Sequence, residues 1–252
     1  MPILSTYHLS QTEKNNIETL INLSQIFDKQ PFSLPLEEDG LYFLLYEENK
    51  LLSLLFALPL DSHTLECMAL TRPDRRKEGL FVRLLAALAD CEPEKDILFP
   101  INPGNRLAVA VMEAIEAEEI EREHMMNLEL AGRPSFASSF HDSWHLKADQ
   151  KKGSSVLSYT LTNIQGQTAG QCFVDLQKTR GYFYGLEIQP KLRGQGLGTL
   201  FLSLVLSHLS SLPVPQRPTS LSLQVSGQNL PALALYKKAG FQITESLAYY
   251  LY

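Results

Sequence analysis

Hydrophobic positions along the chain switch repeatedly between a period near 3.6 and a period of 2, and the switches mark the elements. Ser10-Gln11-Thr12-Glu13 has the spacing of a capping box, in which the serine side chain satisfies an orphan backbone N–H and the glutamate reaches back to the cap. Ile17, Leu20, Ile21 and Phe27 then recur at helical spacing. Two apolar runs, Leu41 to Tyr46 and Leu51 to Leu58, flank Glu-Glu-Asn-Lys and predict a hairpin, with His63 to Leu70 as a third strand. Leu80, Leu84, Leu85 and Leu88 mark a helix, Asp96 to Ile101 a short strand, Ala108 to Glu123 a further helix and Met125 to Leu130 a closing strand.

From 131 to 155 the composition shifts to Ser, Gly, Pro and Lys, which predicts a linker, with Trp144 to Ala148 as a strand inside it. Val156 to Ile164, Thr168 to Leu176 and Tyr182 to Gln189 then form three strands, followed by a helix from Gly196 to about Ser211. After the proline-rich loop Pro213 to Pro218 come a strand, Leu221 to Val225, a helix, Leu230 to Ala239, and a final strand, Leu247 to Tyr252. Both halves run from strands into alternating strands and helices. That order predicts two α/β units of similar build, spanning 1–130 and 156–252.

The halves also match in sequence. Pro190-Lys191-Leu192-Arg193-Gly194-Gln195-Gly196-Leu197-Gly198 lies over Pro73-Asp74-Arg75-Arg76-Lys77-Glu78-Gly79-Leu80-Phe81, with Pro, Arg, Gly and Leu in register. Further on, Asn229-Leu230-Pro231-Ala232 lies over Asn105-Arg106-Leu107-Ala108. Two matches in the same order and structural context point to a duplicated domain.

Between the strand ending at Gln189 and the next helix, three glycines let the backbone turn tightly and bring several N–H groups close to a ligand. With the positive end of the helix dipole, those groups form a site for phosphate or pyrophosphate. A P-loop is excluded because no Gly-Lys-Ser/Thr follows. A dinucleotide fingerprint is excluded because Thr199 and Phe201 stand where it needs Gly or Ala.

Composition narrows the setting. The 252 residues carry 22 Lys+Arg against 28 Asp+Glu, a net charge of -6, which disfavours a protein devoted to nucleic acid. Cys67, Cys91 and Cys172 make neither a disulfide framework nor a zinc spacing, as expected of a cytoplasmic protein. His141 and His145 have helical spacing but no supporting cluster, so no metal is expected. The longest leucine-rich run, Leu51 to Leu60, is half a membrane span.

Arg193 to Gly198, following Leu186-Glu187-Ile188-Gln189-Pro190, together with Asn229, Ala232, Leu235-Tyr236, Lys238 and Gly240-Phe241, resembles the GCN5-related N-acetyltransferase (GNAT) family. The resemblance covers most of 156–252. It implies an α/β fold of two tandem GNAT-like domains, each a mixed, mostly antiparallel sheet splayed between its central parallel strands and flanked by helices. It further implies acetyl-CoA as co-substrate, with its pyrophosphate on Arg193, Gly194, Gln195, Gly196, Leu197, Gly198 and Thr199. Its pantetheine arm would lie along the backbone of Leu186 and Ile188, with Asn229 beside it. Tyr236 is then the acid that protonates the departing thiolate, and Glu187 the candidate base for an amine attacking the thioester directly. Tyr236 also suits a packing role, and Glu187 suits a solvated surface position.

In the N-terminal copy Lys77, Phe81, Met112 and Leu70 stand at the places of Gly194, Gly198, Tyr236 and Glu187. That copy is therefore expected to have lost the cofactor, its phenylalanine projecting where the pyrophosphate would approach. The expected partner is an amine acceptor, a small molecule or a peptide, with no nucleic acid and no membrane, for a monomer or homodimer. A non-catalytic acetyl-CoA-binding regulatory module is the alternative. Charge divides with the repeat: residues 1–130 hold 11 Lys+Arg and 23 Asp+Glu, residues 131–252 hold 11 and 5. The positive excess lies with the intact glycine loop, as a polyanionic cofactor favours.

Overall fold

The computed structural model describes residues 1–29, 32–36, 39–130 and 143–252. The chain forms two compact units, residues 1–120 with 248–252, and residues 121–247. In the first, strand β1 (Ile3–Thr6) leads to helix α1 (Gln11–Asp28), whose capping box is formed: Glu13 N–H donates to Ser10 Oγ, and Ser10 N–H donates to Glu13 Oε2 at 2.6 Å. Strands β2 (Leu41–Glu47), β3 (Lys50–Pro59) and β4 (Thr64–Thr71) pair antiparallel, and β5 (Asp96–Ile101) runs parallel to β4. Helix α2 (Leu80–Cys91) connects β4 to β5, and α3 (Arg106–Ala114) follows β5. The sheet is apolar on both faces. Leu44, Leu54 and Phe56 pack with Ile17 and Leu20 of α1 on one side, while Leu55, Ala57 and Cys67 pack with Leu84 and Leu88 of α2 on the other.

The second unit opens on β6 (Glu118–Glu129), whose residues from Glu123 onward pair antiparallel with β11 (Ser220–Ser226). Strands β7 (Trp144–Gln150), β8 (Val156–Asn163), β9 (Thr168–Gln177) and β10 (Arg180–Ile188) form an antiparallel run, and β10 lies parallel to β11. Helix α4 (Leu197–Ser211) joins β10 to β11, and α5 (Leu230–Ala239) precedes β12 (Gln242–Leu251). Here burial alternates strictly: Leu157, Tyr159, Leu161, Cys172, Val174 and Phe183 are buried, and the residues between them on β8 are not. The buried set packs against Leu197, Phe201 and Val205 of α4 and Leu233 and Tyr236 of α5, forming one core on one face. No helix separates β7 from β8, so among the described residues this unit has no counterpart of α1.

The end strands are traded between the halves of the sequence. The last residues of β12 pair antiparallel with β5, Ala248 opposite Ile101 and Leu251 opposite Leu98, and Ala248 and Tyr250 join the first unit's core. In return β6, from the N-terminal half, borders β11 and places Met126 and Leu128 in the second unit's core. The compact units thus differ from the expected division into 1–130 and 156–252, because one neighbour of β5 and one neighbour of β11 come from the other half of the sequence.

One helix is shorter than its pattern predicted. The periodicity from Ala108 to Glu123 breaks after Ala114, because Glu116 takes a left-handed conformation (φ 59) and Ala117 N–H bonds back to Met112 O. Glu118 onward is strand. Residues 131–142 of the expected linker, His141 among them, lie outside the described residues. Among the described residues no helix is long and apolar enough to cross a membrane, and no group of His, Cys, Asp and Glu side chains is arranged to hold a metal ion.

Candidate active site

Strands β10 and β11 stay paired only from Arg180–Ser220 to Tyr182–Ser222. Beyond Tyr182 they part, and β10 continues to Ile188 with one edge on β9 and the other open. Within this stretch the β9–β10 register slips: Tyr184 faces Phe173 and Glu187 faces Gln171, so Gly185 and Leu186 together oppose Cys172. This is a β-bulge, which frees backbone groups from the ladder and re-aims them. Gly185 has φ 65, and a Cβ there would come within 3.0 Å of the Phe173 ring. Sequence reading passed over Gly185, although a lone glycine inside a strand pattern signals a bulge.

The chain then makes a 3-10 turn, Pro190–Leu192, and enters α4 through Gly194 (φ 76) and Gly196 (φ 80), both left-handed. Gly196 is the N-cap, with no side chain capping the helix. A Cβ at Gly194 or Gly196 would meet no atom within 4 Å, so the loop stands open in front of the orphan N–H groups of the first turn. Leu197 is buried and anchors the helix, whereas Gln195 and Thr199 are exposed. That arrangement is suited to an anion.

Tyr236 lies on α5, its ring edge-on to Phe183 at 6.1 Å and to Phe241 at 5.7 Å. Phe183 precedes the bulge by two residues, and Cys172 across from the bulge adds to the field on the phenol. Burial first, and Cys172 second, push the Tyr236 hydroxyl up to about 12, so it stays protonated. Asn229 caps α5 by accepting from Ala232 N–H at 3.2 Å, as Asn105 caps α3. Glu187 is exposed just past the bulge, with Arg193 Nη2 4.0 Å from its carboxylate. Arg193 is turned back along β10, donating from Nε to Ile188 O at 2.9 Å. Leu186 and Ile188 pack onto the core.

The N-terminal loop has the same backbone path, with Lys77 (φ 66) and Gly79 (φ 73) in the left-handed positions. Its surroundings differ. Strand β4 pairs with β3 from Leu65 to Thr71 without a bulge. Arg76, at the place of Arg193, is held by both oxygens of Asp28 at 2.7 Å, and Arg75 by Glu47 and Glu78. Phe81 does not project over the loop as expected; it turns inward, edge-on to Phe99 at 5.9 Å, because the apolar core offers it burial. Met112, at the place of Tyr236, is buried.

The profile of the acetyltransferase (GNAT) family matches residues 123–241. That stretch, a little under half of the 252 residues, is similar to the GNAT family. The match begins within β6 and ends before β12, so it follows the folded second unit rather than the expected boundary at 156. A putative [ribosomal protein bS18]-alanine N-acetyltransferase of Bacillus subtilis (strain 168) is 36% identical over 85 residues, 33% of this chain and 53% of that protein. The chain therefore spans about half the length of the curated relative it matches. Among solved structures, a GCN5-related N-acetyltransferase from Sphaerobacter thermophilus aligns with a TM-score of 0.66 at 12% identity, covering 99% of this chain and 95% of that one. A tandem GNAT protein from the clavulanic acid biosynthesis pathway aligns at 0.60 and 13% identity, over 100% and 98%. At such identities the likeness is one of fold, and it extends over both halves.

Proposed function

We propose that this protein transfers the acetyl group of acetyl-CoA to a primary amine of a small molecule or peptide, by direct attack within a ternary complex in the cytoplasm. The observation that carries this reading is the bulged, splayed β10 running into an uncapped glycine loop, with a protonated tyrosine beside the bulge. Loop N–H groups from Gly194 to Thr199 would hold the pyrophosphate, and the open edge of β10 around Leu186 and Ile188 the pantetheine arm. A bulge N–H would then donate to the oxyanion, a contribution worth about 3 kcal/mol where it has been measured in other enzymes. Tyr236 would protonate the departing thiolate, and Glu187, exposed to solvent, would take the amine proton, directly or through water. The Bacillus subtilis relative is named as a putative [ribosomal protein bS18]-alanine N-acetyltransferase, which keeps peptides among the acceptors to be tried.

Release of free CoA thiol with a panel of amines tests the proposal; binding of acetyl-CoA without thiol release would support a regulatory module instead. Tyr236→Phe should lower kcat at least tenfold with little change in acetyl-CoA affinity. Unchanged turnover would return Tyr236 to a packing role between Phe183 and Phe241. Gly185→Val forces a β-branched residue into a left-handed position against Phe173, and should reduce kcat about a hundredfold by flattening the bulge. A variant that folds and turns over normally would show that the bulge takes no part.

A further inference from the structure

The face of the second unit's sheet opposite α4 and α5 is built unlike its counterpart in the first unit. Register pairing places Thr160, Gln171 and Glu187 side by side across β8, β9 and β10, then Ser158, Phe173 and Tyr184, then Val156, Asp175 and Tyr182. The equivalent rows in the first unit are Leu44, Leu54 and Leu70, then Tyr42, Phe56 and Met68, and most of these side chains pack under α1. With no helix packed on the face among the described residues, leucines give way to polar and acidic residues. Phe173, Tyr184 and Tyr182 remain as a row of stacked rings, with centroids 5.4 and 5.9 Å apart, outside the core.

Charge singles out the same face. Residues 131–252 contain five acidic residues, and three of them, Asp149, Asp175 and Glu187, lie on it. Asp175 sits at the far end of the aromatic row from Glu187. Four residues of β9 separate its position from that of Gln171, the partner of Glu187, so the two carboxylates stand about 13 Å apart along the strands. Side-chain donors on Ser155 and Gln177 hold the Asp175 carboxyl below its ordinary range, so it is charged at neutral pH. The cations of this face are Arg180, paired with Gln177 one row beyond Asp175, and Lys147 on the row of Thr160, with Arg193 beside Glu187.

Resting on the acetyltransferase reading, we propose that this face selects as acceptor a small linear diamine or polyamine: one amine at Glu187 by the bulge, methylenes along Phe173 and Tyr184, and a second ammonium at Asp175. An apolar row between two carboxylates complements that shape and charge, since methylenes bury against the rings while each ammonium keeps a counter-ion. A single amine on an apolar stem would leave Asp175 unused.

The test measures kcat/KM for thiol release with α,ω-diamines of increasing length, with monoamines of matched length and with an alanyl peptide. Diamines should surpass matched monoamines about fivefold or more, most strongly once the chain spans the gap between the carboxylates. Asp175→Asn, which keeps shape and removes charge, should cut the diamine-to-monoamine ratio toward one, and should do so through KM. Equal use of monoamines and diamines, preference for the peptide, or an unchanged ratio in Asp175→Asn would overturn the polyamine assignment and leave the acetyltransferase reading standing. Failure to acetylate any amine, with acetyl-CoA still bound, would remove both.

Discussion

Acetyl-CoA should titrate to a single site per chain, and Gly196→Val should abolish that binding. Gly196 caps α4 at φ 80, where a β-branched residue costs at least about 1–2 kcal/mol, and its Cβ would enter the open space in front of the first-turn N–H groups. Each displaced N–H bond to a charged phosphate oxygen is worth about 1.5–3 kcal/mol. Together these give a loss of about 4 kcal/mol, close to a thousandfold in Kd. The position is exposed, so thermal unfolding should move by only a few degrees. The second part of the expectation rests on the N-terminal loop. It keeps the left-handed path at Lys77 and Gly79, but the bulge is missing from β4 and its arginines are engaged by Asp28, Glu47 and Glu78. Calorimetry that reports two sites, or undiminished affinity in Gly196→Val, would refute the assignment of the cofactor to the second loop.

The glycine loop and the duplicated order of elements could be read from residue types, because both depend on local requirements: a tight left-handed turn, an Asn cap, a leucine stripe. What was not legible depends on pairing between distant segments. The bulge at Gly185–Leu186 exists only relative to Cys172 on β9, and the identity of the strand beside β5 or β11 depends on a choice among apolar runs of similar composition. The strand at Glu118 to Arg122 was hidden for a related reason: Ile115 and Ile120 continue the helical spacing, and only the left-handed turn at Glu116 interrupts it. Phe81 shows the limit of matching loops by position alone. The backbone was placed correctly, yet the side chain followed the apolar core.

Charge follows the same logic at a larger scale. The acidic balance of residues 1–130 and the basic balance of 131–252 were visible by counting, but counting could not show where the few acids of the basic half fall. Strand register brings Asp149, Asp175 and Glu187 onto one face together with Lys147 and Arg180, and Glu187 stands beside Arg193 of the glycine loop. An anionic and a cationic substrate would each meet groups of the opposite charge, the first at the glycine loop and the second at the carboxylates of this face. Raising the ionic strength should therefore weaken binding of both.

Deleting residues 248–252 should unfold the first unit, although those residues are the furthest from it in sequence. Ala248 and Tyr250 are buried in the core with Phe43, Leu84 and Phe99, and four register pairs join β12 to β5. Tyr250 also donates to Glu119 Oε2 at 3.2 Å. Removing a buried aromatic side chain costs about 3–5 kcal/mol, and each lost ladder hydrogen bond about 1 kcal/mol. The total rivals the roughly 5–15 kcal/mol by which a domain is stable. Hydrogen exchange on the truncated chain should accordingly show lost protection in β2 to β5 while β8 to β10 stay protected. Tyr250→Ala should give a weaker form of the same pattern, with a lowered Tm. If the C-terminal strand instead belonged to an independent domain spanning 156–252, protection would be lost in β8 to β10 and kept in β2 to β5; that outcome would refute the exchange of end strands and restore the simple tandem division.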